Sequence, residues 1–216
     1  MKLIIGNKNY SSWSLRAWLF LSVNDLAFEE VKLALSQENT RSEIAKHSKA
    51  GKVPVIHDGD LLVWDSLAIC EYVSEQYLDG KGWPADAKAR ALARSCCAEM
   101  HSGFFTLRGA MPMNCRATNR NVPMTDDLHK EISRIDSIWT GLRAQNSNQG
   151  PWLFGEFSIA DCMFAPVVFR FATYNVAVSD SSRQYMESVL ENPKIKLWLE
   201  QAQKEVETIE SEEVGM

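Results

Sequence analysis

The sequence predicts a two-part chain: an α/β layer unit over residues 1–78, a short linker over 79–86, and an all-α unit over 87–216. Three observations carry this. The strand-length apolar runs all fall before residue 78. Asp58-Gly59 is a hairpin dipeptide set between the runs Val55 to Asp58 and Leu61 to Trp64. Gly80, Gly82 and Pro84 then interrupt the chain, and the pattern beyond them is helical throughout.

Taken in order, Lys2 to Gly6 reads as a short apolar strand and Asn7 to Ser14 as a polar turn. From Leu15 the spacing of Leu15, Trp18, Leu19 and Ser22 predicts a helix, ended by Asn24-Asp25. Phe28 to Leu35 alternates as a second strand does, and Arg41 to His47 reads as a weak helix within a polar stretch. Pro54 has no N–H to donate, so it belongs at a strand start or edge; an X-Pro bond there can also be cis. After the hairpin, Asp65-Ser66 opens a helix with Leu67, Ile69, Cys70 and Val73 as its apolar positions.

In the second part, Trp83 in the linker is expected to plug against one of the units. Ala87 to Gly109 reads as one long helix, broken by Met111-Pro112-Met113-Asn114. Thr125 to Ala144 places Leu128, Ile132, Ile135 and Trp139 on one face. Ser158 to Tyr174 is helical and so apolar that it belongs at the centre. At its start Ser158 and Asp161 form a capping box, and loss of Ser158 should cost about 1 kcal/mol. Ser182 to Leu190 and Pro193 to Val206 close the helical part, and the acidic residues from Glu205 to Met216 are expected to fray.

Composition narrows the function. A net charge of −5 argues against nucleic acid as a partner, since that requires a basic face. The apolar run Met163 to Phe169 is too short to cross a bilayer, and the N-terminus does not read as a signal peptide. The five cysteines (Cys70, Cys96, Cys97, Cys115, Cys162) are odd in number and lack metal-ligand or redox spacing. The expectation is reduced thiols, no metal site, and a cytoplasmic protein with neither membrane nor nucleic-acid partners.

The run Val53-Pro54-Val55, the Asp58-Gly59 hairpin and the Asp65-Ser66 pair entering SLAICEYVSEQY resemble the second half of the N-terminal, thioredoxin-like domain of cytosolic glutathione S-transferases. Ser158 and Asp161 extend the resemblance into the second domain. It implies a thioredoxin-like domain over 1–78, an all-α domain over 87–216, a cis Pro54 and a homodimer. It implies glutathione as co-substrate, with no tightly bound cofactor, held by Lys52, Val53, Pro54, Asp65 and Ser66. Elementary chemistry agrees at the last pair: a helix N-terminus has free N–H groups and a positive dipole end suited to a carboxylate. Ser66 adds a hydroxyl, and Asp65 can accept from an ammonium group.

The reacting centre is expected at Asn9-Tyr10-Ser11-Ser12-Trp13-Ser14-Leu15-Arg16. One of these serines must cap the helix. The run Ser11 to Arg16 resembles the zeta-class pattern SSCSWR, which makes Ser11 the residue aimed at the glutathione sulfur, with Ser12, Ser14 and then Tyr10 as alternatives and Arg16 structural. A free thiol has a pKa of about 8.5, and a shift of ~2 units takes about 2.7 kcal/mol, within reach of a hydroxyl donor plus a helix dipole. The thiolate would add to a small electrophile or drive a glutathione-dependent isomerisation, with detoxification as the implied role. Departures from the zeta pattern are Trp13 for Cys, Lys52 for Gln, and Asp65 for Glu or Gln. A serine hydrolase is excluded by the lack of G-x-S-x-G, and Trp13 in place of cysteine argues against a disulfide reductase. For the second substrate, His101, Phe105 and Arg108 are spaced to share a helix face; the plain alternatives are a hydrogen-bonded histidine and an ordinary salt bridge. The rival function is a non-catalytic binding or assembly module on the same fold.

Overall fold

The computed structural model describes residues 1–216. The first part runs β1 (Lys2–Ile5), α1 (Ser12–Val23), β2 (Glu29–Lys32), α2 (Thr40–Ala45), β3 (Val55–Asp58), β4 (Leu61–Trp64) and α3 (Ser66–Tyr77). The sheet order is β2-β1-β3-β4, with β1 parallel to β2 and antiparallel to β3, and β4 antiparallel to β3. The two inner strands carry the buried aliphatics Leu3, Ile4, Ile5, Val55 and Ile56, as expected where both faces are covered. Gly59 sits in the hairpin at φ +57°, a conformation that disfavours a Cβ. The Val53–Pro54 peptide is cis. This is the thioredoxin-like arrangement that the motifs imply.

The second part is helical: α4 (Ala87–Ser102), α5 (Phe105–Ala110), α6 (Asp126–Asn146), α7 (Ile159–Thr173), α8 (Asp180–Glu191) and α9 (Pro193–Gln203). α7 is buried along almost its whole length and packs on α1, α3, α4 and α8, so one hydrophobic core runs continuously through both parts. Its capping box is formed: the Asp161 carboxylate accepts from Ser158 N–H at 2.8 Å and from Leu153 N–H at 3.1 Å. In the connection 79–86, Trp83 is buried and its indole N–H donates to Glu71 at 2.7 Å. All five cysteines are free, and burial lifts the thiols of Cys70, Cys97 and Cys162 well up and that of Cys115 to about 12.

Four expectations are corrected. α1 starts at Ser12 rather than Leu15, because Ser11 supplies the cap. β2 is limited to Glu29–Lys32, the length over which β1 offers partners. The expected single helix from Ala87 to Gly109 is two. Gly103 ends α4 with its N–H on Glu99 O, and Phe104 at φ +58° turns its ring into the core.

The fourth correction concerns the C-terminus, which is docked rather than frayed. Glu205, 7% exposed, accepts the backbone N–H groups of Lys8 at 2.7 Å and Asn9 at 3.0 Å and pairs with Lys32 at 3.0 Å. Glu213 accepts from Tyr10, Asn114 and Arg120, and Asn121 N–H reaches Gly215 O. Arg116 donates to the carbonyls of Glu205 and Glu207. Buried N–H donors and the Lys32 ammonium hold the acidic tail, an attraction its composition could not reveal. Glu205→Ala leaves two buried N–H groups without acceptors. It should lower unfolding free energy by on the order of 3 kcal/mol in chemical denaturation, while Glu210→Ala at an exposed site stays within about 0.5 kcal/mol of the parent.

Candidate active site

A cleft of about 1330 Å³ opens between the sheet's loops and the helical part. The loop from β1 into α1 gives Tyr10, Ser11, Ser12 and Trp13, the approach to β3 gives Lys52, Val53 and Pro54, and the start of α3 gives Asp65 and Ser66. The helical part adds His101, Arg108 and Arg170, and the tail adds Ile209 and Glu212. The N-termini of α1 and α3, each twelve residues long, therefore reach one cavity, and each brings a positive dipole end.

The serines divide by role. Ser11, 6% exposed, caps α1: Ser14 N–H donates to its Oγ at 3.4 Å, and its own hydroxyl donates to Ser14 Oγ at 2.7 Å. Ser14 is fully buried, accepts from Gly6 N–H at 3.0 Å, and does not line the cleft. Ser12 lines the cleft as the first residue of α1. Tyr10 is committed elsewhere, donating to Glu213 at 2.7 Å and accepting from Arg116 at 2.8 Å. Arg16 is buried, donates to Met163 O at 3.1 Å and lies against the Trp13 ring.

At α3, Asp65 takes φ +76° and ψ 129°, rare for a residue with a side chain. Its Oδ1 accepts from Leu67 N–H at 2.9 Å and Ala68 N–H at 3.2 Å, which pins the carboxylate at the helix start. Its Oδ2 lies 2.9 Å from His101 Nε2. Ser66 is 1% exposed, lines the cleft, and its Oγ has no hydrogen-bond partner. A buried hydroxyl without a partner is uncommon in a native fold and calls for a ligand.

The proposed second-substrate set does not stay together. The break at Gly103 and Phe104 removes the shared helix face on which it rested. Phe105 is 72% exposed and away from the cleft, which corrects its assignment. Arg108 lines the cleft by another route: its guanidinium donates to the Met100 and His101 carbonyls at the end of α4 and lies 4.9 Å from the Trp13 ring centroid. His101 sits edge-on to Trp13 beside Asp65, so it stands at the α3 end of the cleft. Sequence reasoning missed Arg170, Ile209 and Glu212. Arg170 had a signal, a lone basic residue in an otherwise apolar helix; the two tail residues had none.

Burial pushes the His101 imidazole down from its ordinary 6.5; Asp65 opposes this, while Arg16 and Arg108 reinforce it. His101 is therefore neutral at neutral pH and charges only on acidification. In an NMR titration it should titrate below 6.5, and Asp65→Asn should move it further down, since the acidic neighbour is removed. An unchanged or higher value in that variant would show that Asp65 does not act on it.

Residues 10–76 match the model described as "Glutathione S-transferase, N-terminal domain", and residues 122–201 match "Glutathione S-transferase, C-terminal domain"; together they span more than half of the chain. Glutathione S-transferase 1 of Dianthus caryophyllus is 33% identical over 43% of this chain and 41% of its own. The chain thus spans less than half the length of that relative. A stringent starvation protein A homolog of Haemophilus ducreyi is 23% identical over 70% of this chain and 73% of its own. The crystal structure of a glutathione transferase homolog from Burkholderia, with bound glutathione, superposes with a TM-score of 0.71 over 94% of this chain and 97% of that one, at 23% identity. That likeness is one of fold.

Proposed function

We propose, from the premise that the chain belongs to the glutathione S-transferase family, that it binds glutathione in this cleft and activates its thiol for addition to a small electrophile. The observation that carries the reading is Ser66: a buried, unpartnered hydroxyl at a helix N-terminus, inside the cleft. It suits the carboxylate of the γ-glutamyl end, with the α3 dipole behind it. Asp65, fixed through Oδ1, accepts from the ammonium group with Oδ2. Val53 offers its backbone to the cysteinyl part beside Pro54, and Lys52 lies on the same wall.

The sulfur then falls at the start of α1, by Ser11 and Ser12. A hydroxyl donor favours the thiolate, and the α1 dipole adds to it. For Ser11 to donate, its hydroxyl turns from Ser14 Oγ to the sulfur while its lone pairs keep the cap. Ser12 needs no such exchange. The thiolate attacks an electrophilic carbon, or adds reversibly and leaves again, which is how the same site would isomerise an unsaturated substrate.

Ultraviolet absorbance of bound thiolate against pH tests this. The bound thiol should have a pKa well below about 8.5, and either Ser11→Ala or Ser12→Ala should raise it by ~1–2 units and identify the donor. Ser14→Ala should act on stability instead. Bound glutathione with an unshifted thiol would overturn the reading.

The rival reading is a non-catalytic binding module on the same fold. Against it stand the cleft serines and the Ser66 hydroxyl. A protein that passes through immobilised glutathione without retention would favour the module.

A homodimer and a cytoplasmic location belong to this proposal on family grounds. Leu61 and Trp64 on the edge strand β4 and Leu92 on α4 leave apolar surface exposed, as an interface needs. Light scattering should give twice the chain mass of 24.4 kDa; a monomer at micromolar concentration would remove the dimer from the proposal.

A further inference from the structure

Two arginines line the cleft and a third lies behind them, and the charge of all three is poorly matched. Arg170 on α7 is 7% exposed and lines the cleft; its Nη1 donates to Pro166 O at 3.4 Å, and its Nε is buried with no partner. Arg108 lines the same wall and lies 4.9 Å from the Trp13 ring centroid. Arg16, behind them, lies 4.4 Å from that centroid and has a buried, unpartnered Nη1. The arginine ion pairs of the chain belong to Arg94, Arg120, Arg134 and Arg183, not to these three.

Burying a charge without a close counter-charge is costly, so the cluster needs an explanation. Burial and then the neighbouring arginines bring Arg16 down to about 9, and burial and Arg108 bring Arg170 to about 10. The acidic groups that face them stand off. Glu131 faces Arg108, but its carboxylate accepts the Thr106 and Leu107 N–H groups. Glu212 of the docked tail faces Arg170 across the cleft, and burial raises its own pKa.

We propose that Arg170 and Arg108 form an anion subsite that selects a carboxylate on the second substrate, with Glu212 of the C-terminal tail setting how strongly anions are preferred. Arg16 supports it from behind through Trp13 and makes no direct contact. The subsite rests on the proposed transferase reading and deepens it. Ser11, Ser12, Arg108 and Arg170 line the same cleft, so a carboxylate held by the arginines shares one cavity with the proposed sulfur position. The fitting substrate is a small unsaturated carbonyl acid. The thiolate sulfur bonds to the electrophilic carbon, the C=C electron pair moves onto the carbonyl oxygen as an enolate, and the enolate carbon takes a proton from solvent. With the proton already lost by the thiol, the net change is addition of S–H across the double bond.

The test compares β-benzoylacrylate with its neutral methyl ester, and the intrinsic difference in reactivity of the two cancels when their ratio is compared between variants. The ratio of kcat/KM for acid over ester should favour the acid in the parent, fall about tenfold in Arg170→Gln and in Arg108→Gln, and rise in Glu212→Gln. Should Arg170→Gln fail to fold, the other two variants carry the test. A second arm uses β-benzoylpropionate, which lacks the double bond, and reads its binding by calorimetry without glutathione; its Kd should weaken about tenfold in Arg108→Gln. Equal loss on acid and ester, an unchanged ratio in Glu212→Gln, or no binding of β-benzoylpropionate to the parent would each overturn the subsite. An unshifted thiol with arginine-dependent binding would instead overturn the transferase reading and leave the subsite standing.

Discussion

The carboxylate of Glu205 takes two backbone N–H groups from the loop that leaves β1, and the rest of the cleft depends on that contact. The loop has to pass from a buried strand into a buried helix within a few residues. Its N–H groups are out of reach of water, so each needs an acceptor. One acceptor comes from a residue nearly at the other end of the chain. Lys8 lies beside it, buried between Trp18 and Trp198 and paired with Glu30, while Lys32 closes the arrangement on Glu205. Two lysines and two glutamates leave the cluster without net charge, which makes its burial tolerable. Asn9 adds a further tie, its amide N–H reaching Asn114 at 3.0 Å and its Oδ1 accepting from Arg116 N–H at 2.8 Å. Ser11 and Ser12 owe their place to this frame.

The cleft is built from two opposed kinds of positive potential. The helix N-termini of α1 and α3 are diffuse and arise from backbone alone. The arginines of the inner wall are point charges held against Trp13 and the core. The first kind suits a carboxylate at fixed positions; the second adds a region whose preference side chains can tune. The tail that steadies the β1–α1 loop also delivers the Glu212 carboxylate to the cleft that Arg170 lines.

Local chemistry was legible in the sequence wherever it acts over a few residues. Asp58-Gly59 marked the hairpin, Asp65-Ser66 the start of α3, and Ser158 with Asp161 the box that opens α7. The break between α4 and α5 was not legible, since Gly103-Phe104-Phe105 reads as helix until the core claims one phenylalanine and not the next. That one turn removed Phe105 from the site, gave Arg108 a different role, and left His101 beside Asp65.

The sequence by itself determined most of the elements, though not the break between α4 and α5, together with the change from α/β to helical pattern and the resemblance to the family, because periodicity, caps and turn dipeptides are local. Only the tertiary structure decided which groups meet. Glu205, Glu212 and Arg170 lie far along the chain from the serines they surround, and nothing in their neighbours' spacing announces it. Their positions follow from where buried N–H groups and buried cations require acceptors, and that requirement exists only once the chain has folded and excluded water.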